Sequence, residues 1–126
     1  MNKIEALVDA IGKANGIGDP EADAYRLRNP LLIRSFARPG KHETDEKGRR
    51  VFSSLLSGYK AGLFDIELKI TGKSRAGLQP TSTITNLLGV YGIKEPSIMG
   101  SVVAFLRKAL ADPSITIATP LEYFVS

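Results

Sequence analysis

Cysteine is absent from all 126 residues, which excludes disulfides, thiolate nucleophiles and cysteine-ligated zinc. Histidine occurs once, as His42 between Lys41 and Glu43. Without a second histidine, a cysteine or a nucleophile motif beside it, His42 reads as a solvated loop residue, not a metal ligand or base. Long apolar runs are missing too. Nowhere do eighteen apolar residues follow one another, and Met1 to Glu5 carries charge where an export signal would be apolar. A soluble, cytoplasmic chain that needs no metal or other cofactor and no membrane is the expectation.

What is present suffices for one core. At this length, 43% apolar residues can bury enough surface for a single domain spanning residues 1–126. The net charge of +4 is unevenly placed. Arg26 to Arg75 holds twelve Lys/Arg against five Asp/Glu, about +7, and the remainder is about −3. Such a basic middle attracts phosphate, nucleic acid or an anionic polymer, although a charged segment is most simply a solvated surface. Within it Arg34, Arg38, Lys41, Arg49 and Arg50 lie near Phe36 and Tyr25, a mixture suited to single-stranded nucleic acid or to sugars bearing carboxylates. Gly72-Lys73-Ser74 shares the end of a phosphate-binding loop. The first glycine of that motif would have to stand at Glu67, so the motif fails.

Periodicity predicts helices. Ile4, Leu7, Val8 and Ile11 form the stripe of an amphipathic helix over Lys3 to Ala14, closed by Asn15-Gly16. Asp19-Pro20-Glu21 reads as the start of a short helix reaching about Arg28, which Asn29-Pro30 breaks. Leu31, Leu32, Ile33 and Phe36 are then expected inside. The polar stretch 37–52 reads as a loop or small hairpin. Ser53 or Ser54 caps the longest helix, to about Lys69, with Leu55, Leu56, Tyr59, Leu63, Ile66 and Ile70 on one face. Thr81 or Ser82 caps a helix bearing Ile84, Leu87, Leu88 and Tyr91. Glu95-Pro96-Ser97 opens another, ending before Asp112-Pro113, and Pro120 to Phe124 packs Leu121 and Phe124 inward. Only Ile115-Thr116-Ile117 and Arg50-Val51-Phe52 suggest extended chain, so the class is mainly α.

The order of these parts resembles phage and bacterial lysozyme-like domains of the muramidase or lytic-transglycosylase kind. Their first helix ends in Glu-Gly, where this chain has Asn15-Gly16. Their Arg-Asn-x-Asn-Pro-Gly-Asn-Leu segment is similar to Arg26-Leu27-Arg28-Asn29-Pro30, with Leu31-Leu32 in place of Gly-Asn. Their Asp-x-x-Gly loop matches Asp45-Glu46-Lys47-Gly48, the aliphatic-Phe pair matches Val51-Phe52, and the glycine of the next helix falls at Gly58-Tyr59. Thr83-Ile84, Leu88 to Tyr91 and Thr119-Pro120-Leu121 match the later helices, so the likeness covers about residues 4 to 124.

The resemblance implies a lysozyme-like helical domain, of phage or prophage descent, with a changed site. Such enzymes depend on a carboxylic acid at the end of the first helix to protonate the leaving oxygen, and Asn15 cannot. General acid–base catalysis contributes on the order of 10² to 10⁴ in rate, so a non-catalytic binding or interaction module, a pseudoenzyme holding a glycan or a protein in the old cleft, is expected. The residues about that cleft are Asn15, Tyr25, Arg28, Asn29, Arg34, Arg49 and Tyr59. Two alternatives stand beside it. One is a peptidoglycan hydrolase or transglycosylase with a relocated acid, for which Glu21, Glu43 and Asp45 are the candidates. Asp19, Asp23 and Glu46 are nearby, but a helix cap or solvent explains them more simply. The other is a small basic nucleic-acid-binding protein.

Overall fold

The computed structural model describes residues 2–34, 43–74 and 76–125. The chain is mainly helical. In order come α1 (Lys3–Ala14), α2 (Asp23–Leu27), α3 (Leu55–Ile70), α4 (Ile84–Val90), α5 (Pro96–Ala109) and a 3₁₀ turn over Leu121–Val125. None of the described helices is long and apolar enough to cross a membrane.

α1 forms because both of its ends are closed. The Asn2 side chain accepts from the Glu5 N–H and the Glu5 carboxylate accepts from the Asn2 N–H, each at 2.8 Å, a reciprocal cap that satisfies two orphan donors. At the other end Gly16 takes a φ of +84°, which glycine adopts without strain. The helix is buried along Ala6, Leu7, Val8, Ala10 and Ile11, and packs on α3, on α5 and on the 3₁₀ turn. It is the axis of the core. Ile66 and Ile70 of α3, Ile84, Leu87 and Leu88 of α4, Val102 and Leu106 of α5, and Ile115, Leu121 and Phe124 complete that core. Each large aliphatic group fully withdrawn from water contributes about 1.5–3 kcal/mol.

The sequence places α1 and α5 correctly, Pro96 standing in the first turn of α5 as expected. α2 starts later than expected, with Ala22 at the N-cap. Asp19 instead accepts the Glu21 N–H at 3.0 Å, so its carboxylate closes a local turn before the helix begins. α4 is capped by Thr83 and not by Thr81 or Ser82, because only Thr83 has Asn86 three residues on to return the bond. Leu31 is fully buried, Leu32 and Ile33 are half-buried, and Phe36 lies outside the described residues.

The α3 face is the main correction. Leu55 and Leu56 are exposed, and Gly58, Gly62, Ile66 and Ile70 point inward, with Tyr59 and Leu63 half-buried beside them. Of the extended segments, 115–117 forms no ladder. Around 50–52 the described residues hold only single antiparallel bridges, Arg34 with Arg49 and Thr44 with Arg50. Backbone bonds nevertheless fix this segment from three sides: Arg50, Val51 and Phe52 donate to the carbonyls of Ile33, Glu43 and Leu27, each at 2.9 Å.

Candidate functional site

The turn from Arg28 to Ile33 lies against the end of α1 and the start of α3, and the loop from Asp45 to Arg49 is held to α2 and to Arg34. Asn29 organises the turn. Its side chain is 1% exposed; Nδ2 donates to the carbonyls of Ile33 (3.1 Å) and Arg50 (2.9 Å), and Oδ1 accepts the Ile33 N–H at 3.0 Å. An amide whose groups are so engaged shapes the turn from inside. Arg28 and Leu32, on either side, both have a φ of +52°, a left-handed conformation uncommon for such side chains. The Arg28 side chain is exposed, whereas its carbonyl lies against Gly58 of α3.

Asn15, the C-cap of α1, joins this turn. Its Nδ2 donates to the Pro30 carbonyl at 2.9 Å. A carboxylate has no proton to offer there, so the amide is chemically suited to the place it occupies. It ties α1 to the turn and does not face an open site as a proton donor.

Asp45 and Arg49 build the loop. Asp45 Oδ1 accepts the N–H groups of Lys47 (3.0 Å) and Arg49 (2.8 Å), while Oδ2 accepts from Arg49 Nε at 2.9 Å. The Arg49 guanidinium also reaches Asp23 on α2 at 2.8 Å, and Arg26 pairs with the other oxygen of Asp23. Desolvation pushes the Asp45 carboxyl up. The Arg49 hydrogen bond, the two backbone donors and the guanidinium charge outweigh it and hold the group below the usual carboxylate value. A carboxyl so held is ionised near neutrality and makes a poor general acid. Asp45-Glu46-Lys47-Gly48 is thus a turn-former, with Gly48 at positive φ.

The remaining candidates do not converge. Glu21 and Glu43 are exposed, and Tyr25 on α2 is 47% exposed. Arg34 is exposed, with Nη1 donating to the Lys47 carbonyl at 2.5 Å. His42, Arg38, Lys41, Phe36 and Arg75 lie outside the described residues. Tyr59 on α3 turns to α1, where it is hydrogen-bonded to Asp9. Burial, then the charges of Asp9 and Glu5 and that hydrogen bond, push its phenol up to about 12.

Asp9 is the residue that sequence reasoning passed over. Its carboxyl is raised by burial and by Glu5 one turn away, against the pull of the Tyr59 hydrogen bond. The signal was there: Glu5 and Asp9 are four residues apart on one helix, a like-charged spacing that disfavours double ionisation. Asp9 lies six residues before Asn15, about 9 Å along the helix axis. No protein-family model, no curated protein and no solved structure matches this chain.

Proposed function

We propose that this chain is a non-catalytic, lysozyme-like domain that binds a glycan strand or a protein on the face built from α2, the Arg28–Ile33 turn and the Asp45–Arg49 loop. The observation that carries this reading is the Asn15 amide, which stands at the position the resemblance gives to the acid and donates to the Pro30 carbonyl. Three further positions support the resemblance through backbone geometry. Leu32, where the pattern has asparagine, takes a left-handed φ that asparagine tolerates better. Gly58, where the pattern has glycine, meets a carbonyl too close for any side chain. Asp45 to Gly48 closes the turn that Asp-x-x-Gly requires.

The test is cleavage and co-sedimentation of purified peptidoglycan at two salt concentrations. The native protein is expected to sediment without cleaving. Asn15→Glu restores a carboxyl near the Pro30 carbonyl, which favours its protonated form, and turnover gained by this variant would show that the rest of a glycosidase site survives. Cleavage by the native protein would reject the reading. It would favour an enzyme with a relocated acid, with the raised carboxyl of Asp9 as the first donor to remove, by Asp9→Asn. Absence of sedimentation at both salts would reject glycan as the ligand and leave a protein partner.

A further inference from the structure

We propose that Asn15–Gly16 is a covalent modification site, where the asparagine deamidates through a cyclic imide at a rate set by the folded turn. The inference is independent of what the domain binds.

The chemistry needs only base and water. The Gly16 nitrogen, after losing its proton, attacks Asn15 Cγ; the new N–C bond closes a five-membered imide as the Cγ–Nδ2 bond breaks, and the departing nitrogen takes a proton from water and leaves as ammonia. Water then opens the imide at either carbonyl, giving aspartate or isoaspartate. Nothing is oxidised or reduced. Glycine is the best following residue because it has no side chain to crowd the attacking nitrogen, and Asn15 is followed by Gly16.

In the fold every group the reaction needs is held away from it. The Gly16 N–H donates to the Lys13 carbonyl at 3.0 Å, and the leaving Nδ2 donates to the Pro30 carbonyl at 2.9 Å. Asn15 has ψ −1°. Ring closure needs the Gly16 nitrogen nearly coplanar with Cα, Cβ and Cγ of Asn15, so ψ must rotate far from that value and the C-cap must open. Reaction therefore passes through an opened end of α1, a local fluctuation that precedes global unfolding.

The product does not fit the closed turn. Aspartate has no donor for the Pro30 carbonyl and sets a negative charge against it. Isoaspartate adds a methylene to the backbone where Gly16 already closes on Ala22; a Cβ at Gly16 would stand 2.7 Å from the Ala22 Cβ. Each conversion so favours the opened form, and the modification proceeds in one direction.

The experiment follows the peptide containing Asn15 by mass spectrometry and isoaspartate assay, at mildly alkaline pH, in folded protein and in denaturant. Folded protein is expected to convert about tenfold or more slowly than the denatured chain. Gly12→Ala would set a Cβ 3.0 Å from Pro30 Cβ, pressing Pro30 away from Asn15 without touching the reacting pair. It should speed conversion in folded protein and leave the denatured rate unchanged. Equal rates in folded and denatured wild-type protein would overturn the proposal, as would no conversion in the denatured chain. If Gly12→Ala fails to fold, the wild-type comparison decides alone.

Discussion

Single residues at the 28–33 turn show how one backbone shape survives unsuitable side chains. Asn29 holds the turn by three hydrogen bonds from a buried amide, which can offset the unfavourable φ of Arg28 and Leu32 on either side. A left-handed conformation costs an ordinary L-residue roughly 1–2 kcal/mol, and asparagine less. Leu32 is also half-buried, so replacing it loses apolar contact worth about 1 kcal/mol. The two effects separate in a pair of variants. Leu32→Ala loses the contact and keeps the strain, and is expected about 1 kcal/mol less stable than the native chain. Leu32→Asn loses the contact and relieves the strain, and should fall within about 0.5 kcal/mol of native. Urea unfolding midpoints with unchanged slopes measure both. Equal midpoints for the two variants would mean that the left-handed backbone carries no strain.

At the scale of elements, α3 meets the rest of the molecule through glycine. A Cβ at Gly58 would lie 1.8 Å from the Arg28 carbonyl oxygen, 3.0 Å from its carbon and 3.2 Å from Pro30 Cδ. The obstacle is backbone, fixed by the Asn29 bonds, so Gly58→Ala must push α3 off the turn and is expected to cost about 3 kcal/mol or more. At Gly62 the nearest atoms are side-chain carbons of Leu31 and Val8 at 3.2 to 3.3 Å. There the gain in helix propensity, about 1 kcal/mol, offsets mild overpacking, and Gly62→Ala should melt near the native temperature. Thermal unfolding followed by circular dichroism ranks the two, and a reversed order would contradict the packing. This contact also explains what the sequence could reveal. α1 and α5 were legible because apolar spacing agrees with an end signal in each, Asn15-Gly16 after α1 and Pro96 in the first turn of α5. α3 was legible as a helix and in the inward side of Tyr59, Leu63, Ile66 and Ile70, but not in its first turn, because a count of apolar residues favours Leu55 and Leu56 and gives no weight to glycine. In fact Leu56 and Phe64 are 61% and 65% exposed. The candidate site divides in the same way. Asn15 was visible as the end of the first helix, and the Asp45 loop as a turn motif. Their backbone partners are the Pro30 carbonyl and two N–H groups; every residue type supplies the first and every type but proline the second, so the sequence does not mark them, whereas Asp9 was marked only by its spacing from Glu5.

Across the whole molecule, three tyrosine–aspartate contacts link successive elements around the core. Asp9 of α1 meets Tyr59 of α3. Asp65 of α3 accepts from Tyr91, at the end of α4, at 2.5 Å and from Lys69 at 2.7 Å on the same oxygen. Asp112, just after α5, accepts from Tyr123 of the 3₁₀ turn at 2.8 Å. Lys3 then joins that turn back to α1, its ammonium 4.0 Å from the centre of the Tyr123 ring and donating to its carbonyl at 3.1 Å. All three phenols are raised, in each case by burial first and then by the neighbouring aspartate, Tyr59 to about 12. A phenol in the unfolded chain ionises near 10. Because the folded values are higher, the stability these groups contribute is complete below about pH 10 and declines as pH rises through the folded values, since the unfolded chain releases its protons first. Alkaline unfolding should therefore be cooperative, beginning near pH 10, with the tyrosinate absorbance of these rings rising together with loss of helical dichroism. Single variants isolate the phenols. Tyr91→Phe keeps the ring and the Asp65–Lys69 pair while removing one titrating group, and is expected to flatten the alkaline limb although it lowers stability at neutral pH. Tyr59→Phe should flatten it in the same sense between pH 10 and 12. Tyrosinate from these rings forming well before any helix is lost would show that the phenols reach solvent without unfolding, and that the contacts around α1 open one at a time.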